Sequence, residues 1–485
     1  MSNLISSFLI VTVVLIAVPT IINRIAKLIF LYISRAKITK NLNSIHFKEF
    51  TKSSPVAFHV AIRNENPQVV LKTLSSLNKI DYPEYIVLVI DTNTSDQKLW
   101  KPIEAFCKMH QKRFHFYHLD KLSGYKAGAL NYALIHTPES VKFIAIVDAD
   151  TTVEPDFLKQ TLPYFQDEKV ATVQTPLGIL QNPTEHHFTS WIFLIYRYYL
   201  SIYMPATDCF NVAPFIGAMG IIRRSALEKA GGWNGLYLTE DMELTYRLFK
   251  NGYVSRFIDH PYGYSLLPMD LVNFKRQHYR WNFGNAQILR DHLTLNITTW
   301  GRLKLNPIRW FAYFMCPSVY VNIYFIPFAF IAILITGADL MGYSLKWTEL
   351  INFIIVIVII FELIGDVVIF TVLGKRENVG WKIRLKNLVF WWALTLHNSL
   401  SSLDVIFRRT RTFETTEKGN NIISGKGSPK YIELIVSFLF LAISFSTLVG
   451  PINKFTSASI VLFILSMLCA SILIIPDRYK RKYDE

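Results

Sequence analysis

The sequence predicts an α/β domain, built on a largely parallel sheet and inserted between transmembrane helices. Two observations carry this. Hydrophobic residues make up 51% of the 485-residue chain, and the longest apolar stretches gather at its two ends. Between those ends, short apolar runs alternate with helical patterns, as βαβ units do. A charged fraction of 18% and an aromatic fraction of 14% exclude a disordered chain. The scattered Cys107, Cys209, Cys316 and Cys469 form no CxxC pair. That excludes a disulfide framework and a zinc ribbon, and fits a reducing compartment. The net charge of +15 admits nucleic acid, but on so apolar a chain it reads better as the positive-inside rule.

From the N-terminus, residues 4–22 are nearly free of charge and close to the ~20 residues needed to span hydrocarbon. Arg24, Lys27, Arg35, Lys37 and Lys40 follow this run and none precedes it, the reverse of a signal peptide. A retained anchor is expected over 1–40, with its N-terminus outside. A cytoplasmic domain is expected over 41–309. Within it, 56–62, 86–90, 114–118 and 143–147 read as buried strands, and 67–77, 97–110 and 127–135 as helices. The run 191–204, aromatic and aliphatic around Arg197, is either an interfacial helix or a buried domain helix.

Two spans are expected in 310–373, at 310–336 and 351–372. A cytoplasmic stretch over 374–430 follows, opening with Lys375, Arg376, Lys382, Arg384 and Lys386. Inside it, 388–407 is apolar but interrupted by His397, Asn398, Ser399, Ser401, Ser402 and Asp404. Laid in the interface, it keeps every basic cluster on one side of the membrane. Two further spans, 432–449 and 457–475, and the tail Arg478, Lys480, Arg481 and Lys482 complete 431–485. About five spanning helices result, with one or two interfacial ones. Glu362 and Asp366, at i and i+4, share a helix face; they line a glycan path or meet a neighbouring helix.

In parallel sheets, ligands sit beyond the carboxyl ends of the strands. Here those ends read Arg63-Asn64-Glu65, Asp91 and Asp148-Ala149-Asp150, and there is neither a GxGxxG nor a GxxxxGK[ST] motif. The carboxylates of Asp148 and Asp150 point the same way, as two hard ligands for Mg²⁺ or Mn²⁺ or as solvated acids of a turn. Thr239-Glu240-Asp241 opens a helical pattern, where acids serve the helix dipole or supply a general base. Gln277-His278-Tyr279-Arg280-Trp281 sets a fixed cation beside an indole, for a departing diphosphate and a sugar face or as a membrane-side anchor. Gly124-Tyr125-Lys126 runs into an Ala-rich helix, a phosphate-binding end or a surface lysine.

Taken in this order, these motifs resemble the membrane-embedded family 2 glycosyltransferases of the cellulose, hyaluronan and chitin synthase type. The resemblance covers roughly 55–300 and includes the 173–176 and 217–220 stretches. It implies a GT-A-type (Rossmann-like) catalytic domain. It further implies Asp241 as catalytic base, with Glu65, Asp91, Lys126 and Asp148 on the donor. Asp150 and Asp148 would hold Mg²⁺ or Mn²⁺, and Glu240, Gln277, Arg280 and Trp281 would meet the acceptor and the diphosphate. The implied donor is a nucleotide-sugar, a UDP-sugar ahead of a GDP-sugar. The implied acceptor is a growing polysaccharide exported at the plasma membrane or, alternatively, a lipid or glycan that receives one sugar. Ala61 and Thr92 replace the family's usual residues on the base-recognition side, and 408–419 resembles a gating loop of the synthases. Nucleic acid is not an expected partner, because the basic residues cluster at membrane flanks.

Overall fold

A computed structural model describes residues 2–40, 54–300, 307–318, 324–343, 345, 347–407, 430–449 and 456–476. Helix α1 (Ser2–Lys40) is one unbroken rod of 39 residues. The α/β domain then begins with β1 (Val56–Ile62), α2 (Pro67–Leu77), β2 (Tyr85–Thr92), α3 (Gln97–Met109), β3 (Phe114–Leu119), α4 (Tyr125–His136) and β4 (Phe143–Ile146). These are the expected strands and helices, with ends shifted by a residue or two. Helix α2 starts where Asn66 Oδ1 accepts from Gln68 N at 2.9 Å and Pro67 takes the first turn.

The chain continues through β5 (Thr152–Val153), α5 (Phe157–Thr161), β6 (Val170–Gln174), β7 (Leu177–Ile179), α6 (Thr189–Tyr198), a π turn (Tyr199–Tyr203), α7 (Met204–Asp208) and β8 (Gly220–Arg223). It closes with α8 (Arg224–Lys229), α9 (Glu240–Lys250), β9 (Val254–Phe257), β10 (Gly263–Ser265) and α10 (Leu271–Trp300). The main sheet has the order β3-β2-β1-β4-β8-β6-β9, and a small sheet runs β5-β10-β7. Strands β1 to β4 are mutually parallel, and β8 is antiparallel to both β4 and β6. Helices cover both faces. Val70, Leu74 and Ile103 pack on Phe58 and Val60, while Ala129 and Ala133 pack on Ala57 and Leu88. Burial on both sides explains why β1, β2 and β4 read as continuous apolar runs rather than alternating ones. The expectation of a buried strand at 114–118 is corrected, because β3 is an edge strand and only Phe114 is buried in it.

Beyond the domain lie α11 (Pro307–Ser318), α12 (Phe325–Leu340), α13 (Thr348–Arg376), α14 (Trp381–Ala393), α15 (Thr395–Phe407), α16 (Tyr431–Val449) and α17 (Ser457–Ala470). Among the described residues four helices are long and apolar enough to cross a membrane: Leu4–Arg35, Thr348–Arg376, Tyr431–Val449 and Ser457–Ile474. Of the further span expected at 310–336, the described residues fall in α11 and in α12, a shorter apolar helix of 16 residues. Residues 319–323 between them lie outside the described residues. The 388–407 stretch falls in α14 and α15, each of 13 residues and separated by Leu394 alone. The gating-type loop expected at 408–419 and the basic tail at 478–482 lie outside the described residues.

Two basic residues placed at the membrane flank by sequence are instead inside the helix bundle. Arg24 and Lys27 are 2% and 8% exposed. Arg24 pairs with Glu362 and, at 2.5 Å, with Asp366 on α13. Gly365 makes this possible, since a Cβ there would stand 2.4 Å from Arg24 Cδ. Of the two readings left open for Glu362 and Asp366, the contact to a neighbouring helix is the observed one. The 191–204 run is likewise a buried helix. Its Arg197 pairs with Glu377 at 2.9 Å, Asn387 Nδ2 donates to Ser190 O at 2.8 Å, and Phe30, Phe370 and Phe390 join its hydrophobic cluster.

Candidate active site

The carboxyl ends of β1 and β4, the first turns of α4 and α9, and one face of α10 converge on a cavity of about 350 Å³. Glu65, Lys126, Asp148, Asp150, Glu240, Asp241, Gln277, Arg280 and Trp281 all line it. The volume lies within the range usual for small-molecule sites.

Each side chain is held by its local fold. Asp148 and Asp150 follow β4, and Thr73 Oγ1 of α2 donates to Ala149 O between them at 2.8 Å. Ser265 Oγ on β10 donates to Asp150 Oδ2 at 2.8 Å. Lys126, in the first turn of α4, donates to Asp148 Oδ1 at 2.6 Å and to Gly217 O at 2.9 Å. Gly217 has φ +77°, and a Cβ added to it would meet Asp241 Oδ2 at 2.6 Å, so the loop passes against the acid as closely as backbone allows. Gln174 fixes that loop. Its Oε1 accepts from Ile216 N at 3.1 Å and its Nε2 donates to Ala218 O at 2.7 Å. The 173–176 and 217–220 stretches are therefore partners, and their observed contacts set the wall beside Asp241.

Asp241 Oδ1 accepts from Met242 N at 2.7 Å, in the first turn of α9. Burial pushes both the Glu240 and the Asp241 carboxyl above the usual range, and for Glu240 the charge of Asp241 adds to it. Burial disfavours the charge on Lys126, but Asp148, Glu240 and Asp241 outweigh it and hold the ammonium above the ordinary lysine value. Lys126 thus stands among several acids, an arrangement typical of sites that handle protons and charged groups.

On α10, Gln277 Oε1 accepts from Tyr196 OH, and the Tyr196 ring meets Trp281 edge-on at 5.6 Å. Tyr196 of α6 and Tyr199 and Leu200 of the π turn form a wall that sequence reasoning did not assign to the site. Its only signal was the aromatic run 191–204, whose facing depends on tertiary packing. Such π turns are frequent at functional sites. Ser265 was missed for the same reason, lying on a three-residue strand far along the chain.

Asp91 is the expected site residue that does not line the cavity. It is buried, its Oδ1 accepts from Thr94 Oγ1 at 2.7 Å, and its Oδ2 meets His118 Nδ1 at 2.6 Å. Thr94 Oγ1 in turn accepts from Asn64 N at 2.9 Å. Asp91 is the penultimate residue of β2, and its carboxylate is engaged by Thr94 and His118, with Thr94 joining it to the 63–65 loop.

Asp148 and Asp150 present hard oxygens to the cavity, and among the described residues no group of three or more His, Cys, Asp or Glu could hold a metal ion. This donor set fits Mg²⁺ or Mn²⁺, which take one or two carboxylates and complete their shell with substrate phosphates and water.

A family model described as "Glycosyl transferase family group 2" matches residues 143–475. Among curated proteins, the chain is 30% identical over 243 residues to glucomannan 4-beta-mannosyltransferase 7 of Arabidopsis thaliana, covering 48% of this chain and 43% of that protein. It is 30% identical over 251 residues to a beta-monoglucosyldiacylglycerol synthase of Trichormus variabilis, covering 51% of this chain and 53% of that one. The match thus spans about half the length of these relatives. Among solved structures, mannosyltransferase PcManGT from Pyrobaculum calidifontis, in complex with GDP-Man and Mn²⁺, superposes with a TM-score of 0.50 at 17% identity, over 81% of this chain and 99% of that one. At that identity the likeness is one of fold.

Proposed function

Because the chain belongs to the glycosyl transferase family group 2, on a domain of GT-A fold, we propose that it transfers a hexose from a nucleotide-sugar to an acceptor at the cytoplasmic face of the membrane, with inversion. The observation that carries this reading is the convergence of Lys126, Asp148, Asp150, Asp241, Gln277, Arg280 and Trp281 on one cavity. Asp241 takes the proton of the acceptor hydroxyl. That oxygen forms its bond to the anomeric carbon as the bond to the nucleoside diphosphate breaks in line. Lys126 and Arg280 neutralise the departing diphosphate, and Trp281 presents an indole face to the acceptor sugar. A Mg²⁺ or Mn²⁺ held by Asp150 and Asp148 would add charge stabilisation to the same leaving group. A UDP-sugar or a GDP-sugar suits this chemistry. The named relatives transfer mannosyl and glucosyl groups, so a hexose is proposed.

The domain division is proposed as 1–40, 41–309, 310–373, 374–430 and 431–485, with α14 and α15 interfacial and the plasma membrane as location. For the acceptor, two readings have support. A growing, exported polysaccharide agrees with the synthase-type motifs. A lipid acceptor that receives one sugar is favoured by the pairing of Glu362 and Asp366 with Arg24, which removes two acids from any glycan path. It is also favoured by the cavity's apolar wall. Leu177, Ile179, Tyr196 and Ile216 pack on the cluster that holds Phe30 of α1 and Phe370 of α13. The test is to supply labelled UDP- and GDP-hexoses with Mn²⁺ to membrane vesicles and extract with organic solvent. Label in the organic phase, absent with Asp241→Asn, supports lipid transfer. An insoluble polymer supports the polysaccharide reading, and no product above the variant overturns both.

A further inference from the structure

Helix α10 has two working faces. Gln277, Arg280 and Trp281 face the cavity. Lys275, Tyr279 and Asn282, spaced four and three residues apart, share the other side of the helix. Each of the three is bonded to an element outside the α/β domain. Lys275 Nζ pairs with Glu433 Oε1 of α16 at 2.5 Å, Tyr279 OH donates to Asp404 Oδ2 of α15, and Asn282 Nδ2 donates to Asn398 Oδ1 of α15 at 2.8 Å. The Asn282–Asn398 contact is buried and the other two are partly buried. Asn282, Asn398 and Glu433 are 1%, 6% and 2% exposed. Between the faces, Val405 of α15 packs with Phe283 and with Leu238, which itself lines the cavity.

Buried polar pairs are a poor source of net stability, because desolvation offsets most of what they gain. What three directional bonds on one helix face do supply is register: they set both the rotation and the height of α10. Displacements of about 1 Å in groups that position a reacting substrate cost on the order of 10²-fold in rate. We propose that Asp404 and Asn398 of α15, together with Glu433 of α16, are positioning residues for glycosyl transfer. They touch no substrate. They act through Tyr279, Asn282 and Lys275 to hold Gln277, Arg280 and Trp281 at the diphosphate and the acceptor. A membrane-spanning helix and the 395–407 helix are thereby coupled to the catalytic cavity. This inference rests on the transfer reading given above.

The test compares Asp404→Ala and Glu433→Ala with partners that keep the bonds. Asp404→Asn still accepts from Tyr279, and the swap Lys275→Glu with Glu433→Lys restores the pair. kcat, KM for donor and acceptor, and thermal unfolding are measured on the full chain in detergent. The alanine variants should lose about 10- to 100-fold in kcat and raise the acceptor KM. Asp404→Ala should melt within a few degrees of wild type, while Glu433→Ala, which leaves Lys275 largely buried without its partner, should melt lower and be judged against the charge swap. Asp404→Asn and the swap should recover to within about threefold. Alanine variants that keep wild-type kcat and KM, or an Asp404→Asn no better than Asp404→Ala, overturn the proposal while wild type remains active. A wild type that transfers no sugar from any donor overturns the transfer reading, and this one with it.

Discussion

Arg24→Met tests the packing of α1 against α13. Arg24 reaches both Glu362 and Asp366 across a space that Gly365 leaves open, and all three side chains are at most 8% exposed. Removing the cation leaves two carboxylates buried without it, and breaking a buried pair in this way costs about 3–5 kcal/mol. At a few degrees per kcal/mol, the melting temperature of the detergent-solubilised protein should fall by about 5–15 °C. The triple variant Arg24→Met, Glu362→Leu, Asp366→Leu removes charge and partner together. Apolar replacement of a buried ionic cluster is neutral or stabilising by about 1–4 kcal/mol, so it should return to within a few degrees of wild type. The single and triple variants are thus strongly non-additive, as expected for one network. Scanning fluorimetry on both variants decides the matter. If Arg24→Met melts with wild type, or the triple variant falls as far as the single, the buried-pair reasoning is refuted.

The remaining predictions concern the cavity. Asp241→Asn should lower kcat by about 10²–10⁴-fold, measured as nucleotide release, while nucleotide binding by calorimetry stays near wild type. Because burial raises the Asp241 carboxyl, the base ionises only as pH approaches neutrality. The acid limb of kcat should therefore lie above the usual carboxylate range, and Lys126→Gln, which removes a nearby positive charge, should move it higher still. The same shift gives a stability sign. A folded-state pKa above the unfolded value stabilises fully below the usual carboxylate range and is lost as pH rises through the raised value. Wild type should therefore lose melting temperature relative to Asp241→Asn between acid and neutral pH. Gly217→Ala should reduce kcat at least about tenfold, since its Cβ would enter the space of Asp241 Oδ2 and its φ is positive. Asp150→Asn should raise the Mn²⁺ concentration needed for tight nucleotide binding by about tenfold or more, read by titration calorimetry.

Much of the domain was legible because local pattern and tertiary outcome agree there. The apolar runs of β1, β2 and β4 are buried on both faces, and Asn66-Pro67 marks the start of its helix by cap chemistry. The acids that line the cavity were legible as motifs, since an acid two residues from another at a strand end needs no distant partner to be recognised. What stayed hidden depends on long-range pairing. Arg24 lies 342 residues from Asp366, so a basic residue after an apolar run looked like a flank charge. Asp91 stands near the end of its strand as expected, but that Thr94 and His118 take up its carboxylate could not be read from the chain. Tyr196 and Tyr199 reach the cavity only because α6 docks between the domain and α13 and α14.

We propose that this cavity performs inverting glycosyl transfer with Asp241 as base. The most direct measurement offers purified protein a panel of UDP- and GDP-hexoses with Mn²⁺ and a membrane lipid extract, following nucleotide release and the anomeric configuration of the product by NMR. The account predicts release with at least one donor, a product whose anomeric configuration is opposite to the donor's, and loss of both in Asp241→Asn. A product that retains the donor's configuration, or equal turnover by wild type and Asp241→Asn, would contradict it.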